Sequence, residues 1–136
     1  METAIFSISG YQFDKVNIDL SNCKSNNLSL DFDVKGLYLN ENSSYELTFL
    51  LKVSNLEDKD NPFVTVQCKG TFSFENVNSM IEIPDFFYNN CIAILFPYVR
   101  AYVSLVTTQA NIPGIILPTL NLTSLEAELR KNTSQK

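Results

Sequence analysis

The chain has 136 residues, 45% hydrophobic and 18% charged, with 10 Lys+Arg against 15 Asp+Glu and a pI near 4.6. That length supports one domain with a core of its own and falls short of two, and a net charge of −5 argues against binding a phosphate backbone. Without a single histidine, Ser–His and Cys–His nucleophile pairs, His-ligated zinc and imidazole pH switches are all excluded.

The first residues, Met1-Glu2-Thr3-Ala4-Ile5-Phe6, carry no positive region and no apolar run, so no signal peptide is expected. Residues 4–9 alternate as a strand, and Phe13, Val16, Ile18 and Leu20 continue the pattern past Gly10. The polar stretch 21–27 reads as a loop. Residues 28–34 alternate strictly, the signature of a strand with one wet face, and 37–39 extend it. After a turn over 40–44, Tyr45, Leu47, Phe49, Leu51 and Val53 alternate again; Leu50 between them suggests that the other face is partly covered. A charged turn over 57–62 precedes a strand over 63–75, with Val64, Val66 and Cys68 on one face and Phe63, Thr65 and Gln67 on the other. Four strands joined by polar turns predict an antiparallel meander.

The second half changes character: between Phe86 and Leu125 the sole ionised side chain is Arg100. Ile92, Leu95, Phe96, Val99, Tyr102, Val103 and Val106 recur in steps of three and four, a helical period. Pro97 suits a first turn, which predicts that the helix begins properly near Leu95. The uncharged run 86–99 is interrupted by Asn89, Asn90 and Pro97 and is too short to span a membrane. Residues 111–118 are extended and breaker-rich. Leu122, Leu125 and Leu129 then mark a short helix capped by Asn121 or Thr123, and residues 130–136 read as a frayed polar tail. Strands followed by helices make the fold α+β.

Catalytic signals are missing. The four glycines do not form a phosphate loop, and Cys23, Cys68 and Cys91, odd in number and dispersed, suit neither a disulfide framework nor a zinc site. They read as free thiols in a cytosolic protein. Asp31/Asp33 and the run Glu57/Asp58/Asp60 read as a solvated strand face and a turn. Neither an enzyme nor a cofactor nor a bound metal is expected. Arg100, alone in an apolar stretch, is expected to be a paired structural residue. Most unusual is the helix, apolar on more sides than a small sheet can cover, which favours self-association.

These residues resemble a known family. Ile94-Leu95-Phe96-Pro97-Tyr98-Val99-Arg100, then Ile112-Pro113 and Leu117-Pro118-Thr119-Leu120-Asn121-Leu122, are similar to segments of the SecB family of export chaperones. Members carry a leucine-phenylalanine-proline-tyrosine-alanine-arginine segment, followed at nearly the same spacing by phenylalanine-proline and proline-valine-asparagine-phenylalanine motifs. Val66-Gln67, Gly70 and Phe72-Ser73 fit the family's last strand.

The resemblance implies one SecB-like domain over residues 1–136: a four-stranded antiparallel sheet, a long helix, an extended crossover loop and a short C-terminal helix. It further implies a cytoplasmic homotetramer, a dimer of dimers, that needs no ATP and does not enter the membrane. Such a protein binds unfolded preproteins in apolar grooves and keeps them competent for the Sec translocase. Carried over, the groove lining would be Ile112, Ile115, Leu117, Leu122 and Leu125, with Leu28, Leu30 and Phe32. Non-directional apolar contact suits clients that share no sequence. The family docks on the translocation ATPase SecA through acidic groups of the outer sheet face. Asp19 keeps one such group, whereas Lys15 and Thr65 stand where others are expected. An alternative implied by the resemblance is a chaperone that holds the unstable antitoxin of a toxin–antitoxin system. Outside the resemblance, a carrier with an apolar ligand pocket between sheet and helix is a further alternative.

Overall fold

The structure, a computed structural model, describes residues 5–136, so Ala4 of the expected first strand lies outside the described residues. Strands β1 (Ile5–Ile18), β2 (Leu28–Leu39), β3 (Ser44–Asn55) and β4 (Val64–Glu75) pair antiparallel. Their alternation sends Tyr45, Leu47, Phe49, Leu51 and Val53 from β3, and Val64, Val66, Cys68, Phe72 and Phe74 from β4, into one core. Phe63, expected on the opposite face from Val64, is buried too. It precedes the strand, where its N–H donates to Val53 O at 2.9 Å.

Two sequence expectations are corrected here. The strand order is β1-β4-β3-β2-β5, so β1 lies beside β4 rather than β2, and the sheet is a Greek key instead of a meander. Alternation fixes which face a side chain takes; it does not choose neighbours. The link 19–27 crosses the end of the sheet, held where Asn55 Oδ1 accepts from Lys24 N–H (2.6 Å) and Asn55 Nδ2 donates to Ser25 O (2.8 Å). The tail does not fray. It forms β5 (Thr133–Gln135), parallel to Gly36–Tyr38 of β2, and makes the sheet five-stranded instead of four.

Helix α1 (Asp85–Gln109) begins well before Leu95, with Asp85 in its first turn behind Pro84. Pro97 therefore lies mid-helix. Its ring is on the exposed side, as is Ala93, whose carbonyl loses its ladder partner and can be hydrated instead. The buried stripe, including Phe87, Cys91, Ile92, Leu95, Val99 and Val103, covers the inner face of the sheet. By length and composition α1 would pass as a membrane span, but this stripe belongs to the core.

Of the two expected caps for α2 (Leu122–Lys131), Asn121 serves: its Oδ1 accepts from Ser124 N–H at 3.2 Å. Arg130 then ties α2 to the start of α1. Its guanidinium donates to Asp85 O (2.8 Å) and lies 4.6 Å from the centre of the Tyr88 ring. Leu125 and Leu129 are buried beneath α2.

Candidate functional site

The extended crossover, residues 110–121, leaves the end of α1 and runs past the first half of β2. Between them lies an open apolar groove of about 380 Å³. Leu28 and Leu30 form one wall and residues 112–116 the other, with Cys23, Ser25, Asn26 and Phe63 completing the lining. Within the crossover, exposure alternates: Ile115 and Leu117 are buried, while Ile116 is 75% exposed.

Of the residues expected to line a groove, Leu28, Leu30, Ile112 and Ile115 come together here. Leu122 lies apart, in a second depression of about 340 Å³ with Ala93, Phe96, Pro97, Arg100, Thr119 and Leu120. Phe32 is half-buried between them, its ring 5.8 Å from that of Phe49 and 6.4 Å from that of Phe96. Leu117 and Leu125 lie in the core beneath the two surfaces. Ile116, 75% exposed, was missed, as were Phe63, Cys23 and the neighbouring Ser25, Asn26, Pro113 and Gly114. An extended stretch carries a period of two, but its phase cannot be read when every neighbour is apolar.

The edge of β2 bounds the groove. Its even-numbered residues direct their main-chain groups away from β3. Downstream these are satisfied: Val34 N–H donates to Glu128 Oε2 (2.8 Å), Gly36 N–H to Asn132 O (3.2 Å) and Asn40 N–H to Lys136 O (3.1 Å). Upstream, the corresponding groups of Leu28, Leu30 and Phe32 face no paired strand among the described residues.

A second surface is the outward side of α1. Phe86, Ala93, Pro97, Ala101 and Leu105 are exposed along it in helical spacing, with Phe86 at 52% and Leu105 at 55%. Beside it, Tyr11 stacks on Tyr98 with ring centres 4.3 Å apart, and Phe13 stacks on Tyr102 at 3.9 Å. Arg100 is exposed on this helix and makes no ion pair among the described residues, which corrects the expectation of a paired arginine. The run from Phe86 to Leu125 that flanks it holds no carboxylate to pair with.

Just past the end of β1, Asp19 accepts from Ser21 N–H (3.1 Å) and the Ser21 hydroxyl, capping a short 3₁₀ turn. Thr65 lies between Lys52 and Asn17 in neighbouring strands, and Lys15 is opposite Gln67. The charged groups nearby are mixed: Lys69 lies 3.8 Å from Asp14 and 3.7 Å from Glu46. Burial pushes the Cys68 thiol up to about 12 and raises that of Cys91 as well, so both stay protonated near neutrality and neither is an activated nucleophile.

A sheet backed by one long helix thus carries an open, largely apolar groove along one strand edge. The family described as preprotein translocase subunit SecB matches residues 7–132, and the chain belongs to the SecB family. An uncharacterized protein of Methanocaldococcus jannaschii, MJ0357, is 33% identical over 110 residues, covering 77% of this chain and 68% of that protein. Among solved structures, the Mycobacterium tuberculosis Rv1957 SecB-like chaperone, in complex with a ChAD peptide from the Rv1956 HigA1 antitoxin, superposes with a TM-score of 0.63. It is 17% identical, with 85% of this chain and 90% of that one covered, a likeness of fold. Family membership supports a chaperone role.

Proposed function

We propose that the protein is an ATP-independent holding chaperone that binds extended, unfolded polypeptide in the groove between β2 and the crossover. The observation that carries this is the pairing of apolar walls (Leu28, Leu30, Ile112, Ile116) with the upstream main-chain edge of β2, at Leu28, Leu30 and Phe32, which no strand among the described residues pairs. Side-chain contacts there are non-directional, and main-chain hydrogen bonds are the same for every sequence. Such a site accepts many clients. Leu122 and the depression around it would extend the contact along the same client, and weak sites on one chain add by avidity.

The exposed apolar side of α1 and the free edge of β1 fit a homotetramer, a dimer of dimers, in which these surfaces meet other copies. Three free thiols fit a reducing cytoplasm. The client class follows two branches. Preproteins delivered to SecA would require acidic docking groups on the outer face, and Asp19, just past the end of β1, is the candidate. A single antitoxin as client is favoured by Lys15, Lys52 and Thr65 occupying that face.

The test is suppression of aggregation. A chemically denatured protein is diluted into buffer with and without the chaperone, and light scattering is followed. Suppression at stoichiometric tetramer without ATP is the expected result. Undiminished scattering rules out the holding role, and saturable uptake of a fluorescent fatty acid in its place would point to a small-ligand carrier.

A further inference from the structure

Helix α1 ends on a polar device. Asn111 adopts φ 64°, a left-handed conformation that asparagine tolerates better than most residues. Asn111 N–H donates to Thr108 O (3.0 Å) and Ile112 N–H to Thr107 O (3.3 Å), the two bonds of a Schellman motif. Three residues further on, Ile115 N–H donates to the Thr107 hydroxyl at 3.0 Å. That hydroxyl in turn donates to Val103 O at 2.7 Å, which orients its lone pairs toward the crossover. Between Ile112 and Leu120, these bonds to Thr107 are the only main-chain hydrogen bonds that fasten the crossover to the rest of the fold, among the described residues. Elsewhere apolar burial of Ile115 and Leu117 holds it. The approach is close: a Cβ on Gly114 would lie 2.7 Å from Thr108 Oγ1.

From this we infer that Thr107 is the positioning residue of the groove. It is fully buried and touches no groove volume itself. Through its carbonyl and its hydroxyl it fixes Ile112 and Ile115, and so sets the height and phase of the wall that presents Ile112 and Ile116 to the opening. Ile115 is pinned inward by its own N–H, which forces Ile116 outward by alternation. The inference rests on the groove being the client site.

The test compares Thr107→Val, which keeps the shape and removes the hydroxyl, with Thr107→Ser, which keeps the hydroxyl. A fluorescently labelled, reduced and carboxymethylated lactalbumin serves as a permanently unfolded probe. Thr107→Val is expected to release it about tenfold faster at unchanged oligomeric mass, because a buried N–H is left without its acceptor. Thr107→Ser should stay within about twofold of wild type. A valine variant that releases the probe at the wild-type rate overturns the inference. If that variant does not fold, amide hydrogen exchange on the wild type decides. Ile115 N–H should be protected well beyond Gly114 and Ile116, and equal exchange at the three positions overturns it. Wild-type protein that binds no probe defeats the functional reading, and the exchange experiment still judges the tether.

Discussion

The hydroxyl of Tyr45, on β3, reaches across β2 to donate to the Thr133 hydroxyl on β5 at 2.7 Å. The Thr133 hydroxyl in turn donates to Leu129 O at 2.6 Å, so one chain of hydrogen bonds joins the centre of the sheet, the edge strand and the end of α2. The phenol passes over Gly36, where any Cβ would collide with the ring. Tyr45 is fully buried, and burial raises its pKa far above the ordinary tyrosine value.

Gly36→Ala should therefore be among the most damaging single substitutions, costing about 1–3 kcal/mol by overpacking. Tyr45→Phe, which deletes only the hydroxyl, should cost about 1 kcal/mol. Urea unfolding of the two variants checks the ranking, and an unperturbed Gly36→Ala midpoint would show that the ring has room to move.

The exposed side of α1 yields a second expectation. Ala101→Arg places a charge in the middle of that face without touching the core. The mass by light scattering should fall from about four times 15.4 kDa to that of a smaller assembly. An unchanged mass would place the subunit contacts elsewhere.

How much of this was legible can be argued residue by residue. Alternation from Leu28 to Phe74 and the three-four steps from Ile92 to Val106 identified the strands and the helix, because each buries one face and pays for a wrong phase with its whole apolar set. The neighbour of β1 was not legible, since strand adjacency is decided by links such as 19–27 and by long-range burial. The start of α1 was obscured by Pro97, whose mid-helix position depends on an exposed Ala93 carbonyl. Thr133-Ser134-Gln135 carry no apolar pattern, so an edge strand of main-chain bonds and one hydroxyl passed for a tail. At the groove, residue type located the crossover, but only three-dimensional placement showed that Ile116 faces out while Leu117 faces in.

Thiol chemistry gives a third expectation. Cys23 lines the groove and is partly exposed, whereas Cys68 and Cys91 are buried. Native protein at mildly alkaline pH should alkylate at Cys23 first, with the other two reacting only on unfolding. An unfolded polypeptide in the groove should slow Cys23 several-fold. Mass spectrometry of the alkylated protein reads both effects, and a Cys23 rate indifferent to added polypeptide would separate this groove from client binding.

The buried thiols also set a pH dependence. Burial raises Cys68 from its ordinary value near 9 to about 12. The neutral thiol is thus favoured in the folded state, and its contribution is fully present below about pH 9 and lost as pH rises toward 12. Cys91, Tyr45 and Tyr88 shift in the same direction. The unfolding free energy from urea titrations should stay level between pH 7 and 8.5 and decline above 9, with an upper slope of about 1.4 kcal/mol per pH unit for each group. Cys68→Ala should show a shallower decline, and identical slopes would remove Cys68 from the explanation.

The holding role is tested most directly by size-exclusion chromatography with multi-angle light scattering, using the protein alone and mixed with the reduced, carboxymethylated lactalbumin. A tetramer that co-elutes with the polypeptide, its mass raised by that of the client, and that loses the client on Ile116→Asp while keeping its own mass, is the predicted result. Separate elution of the two at every ratio would contradict it.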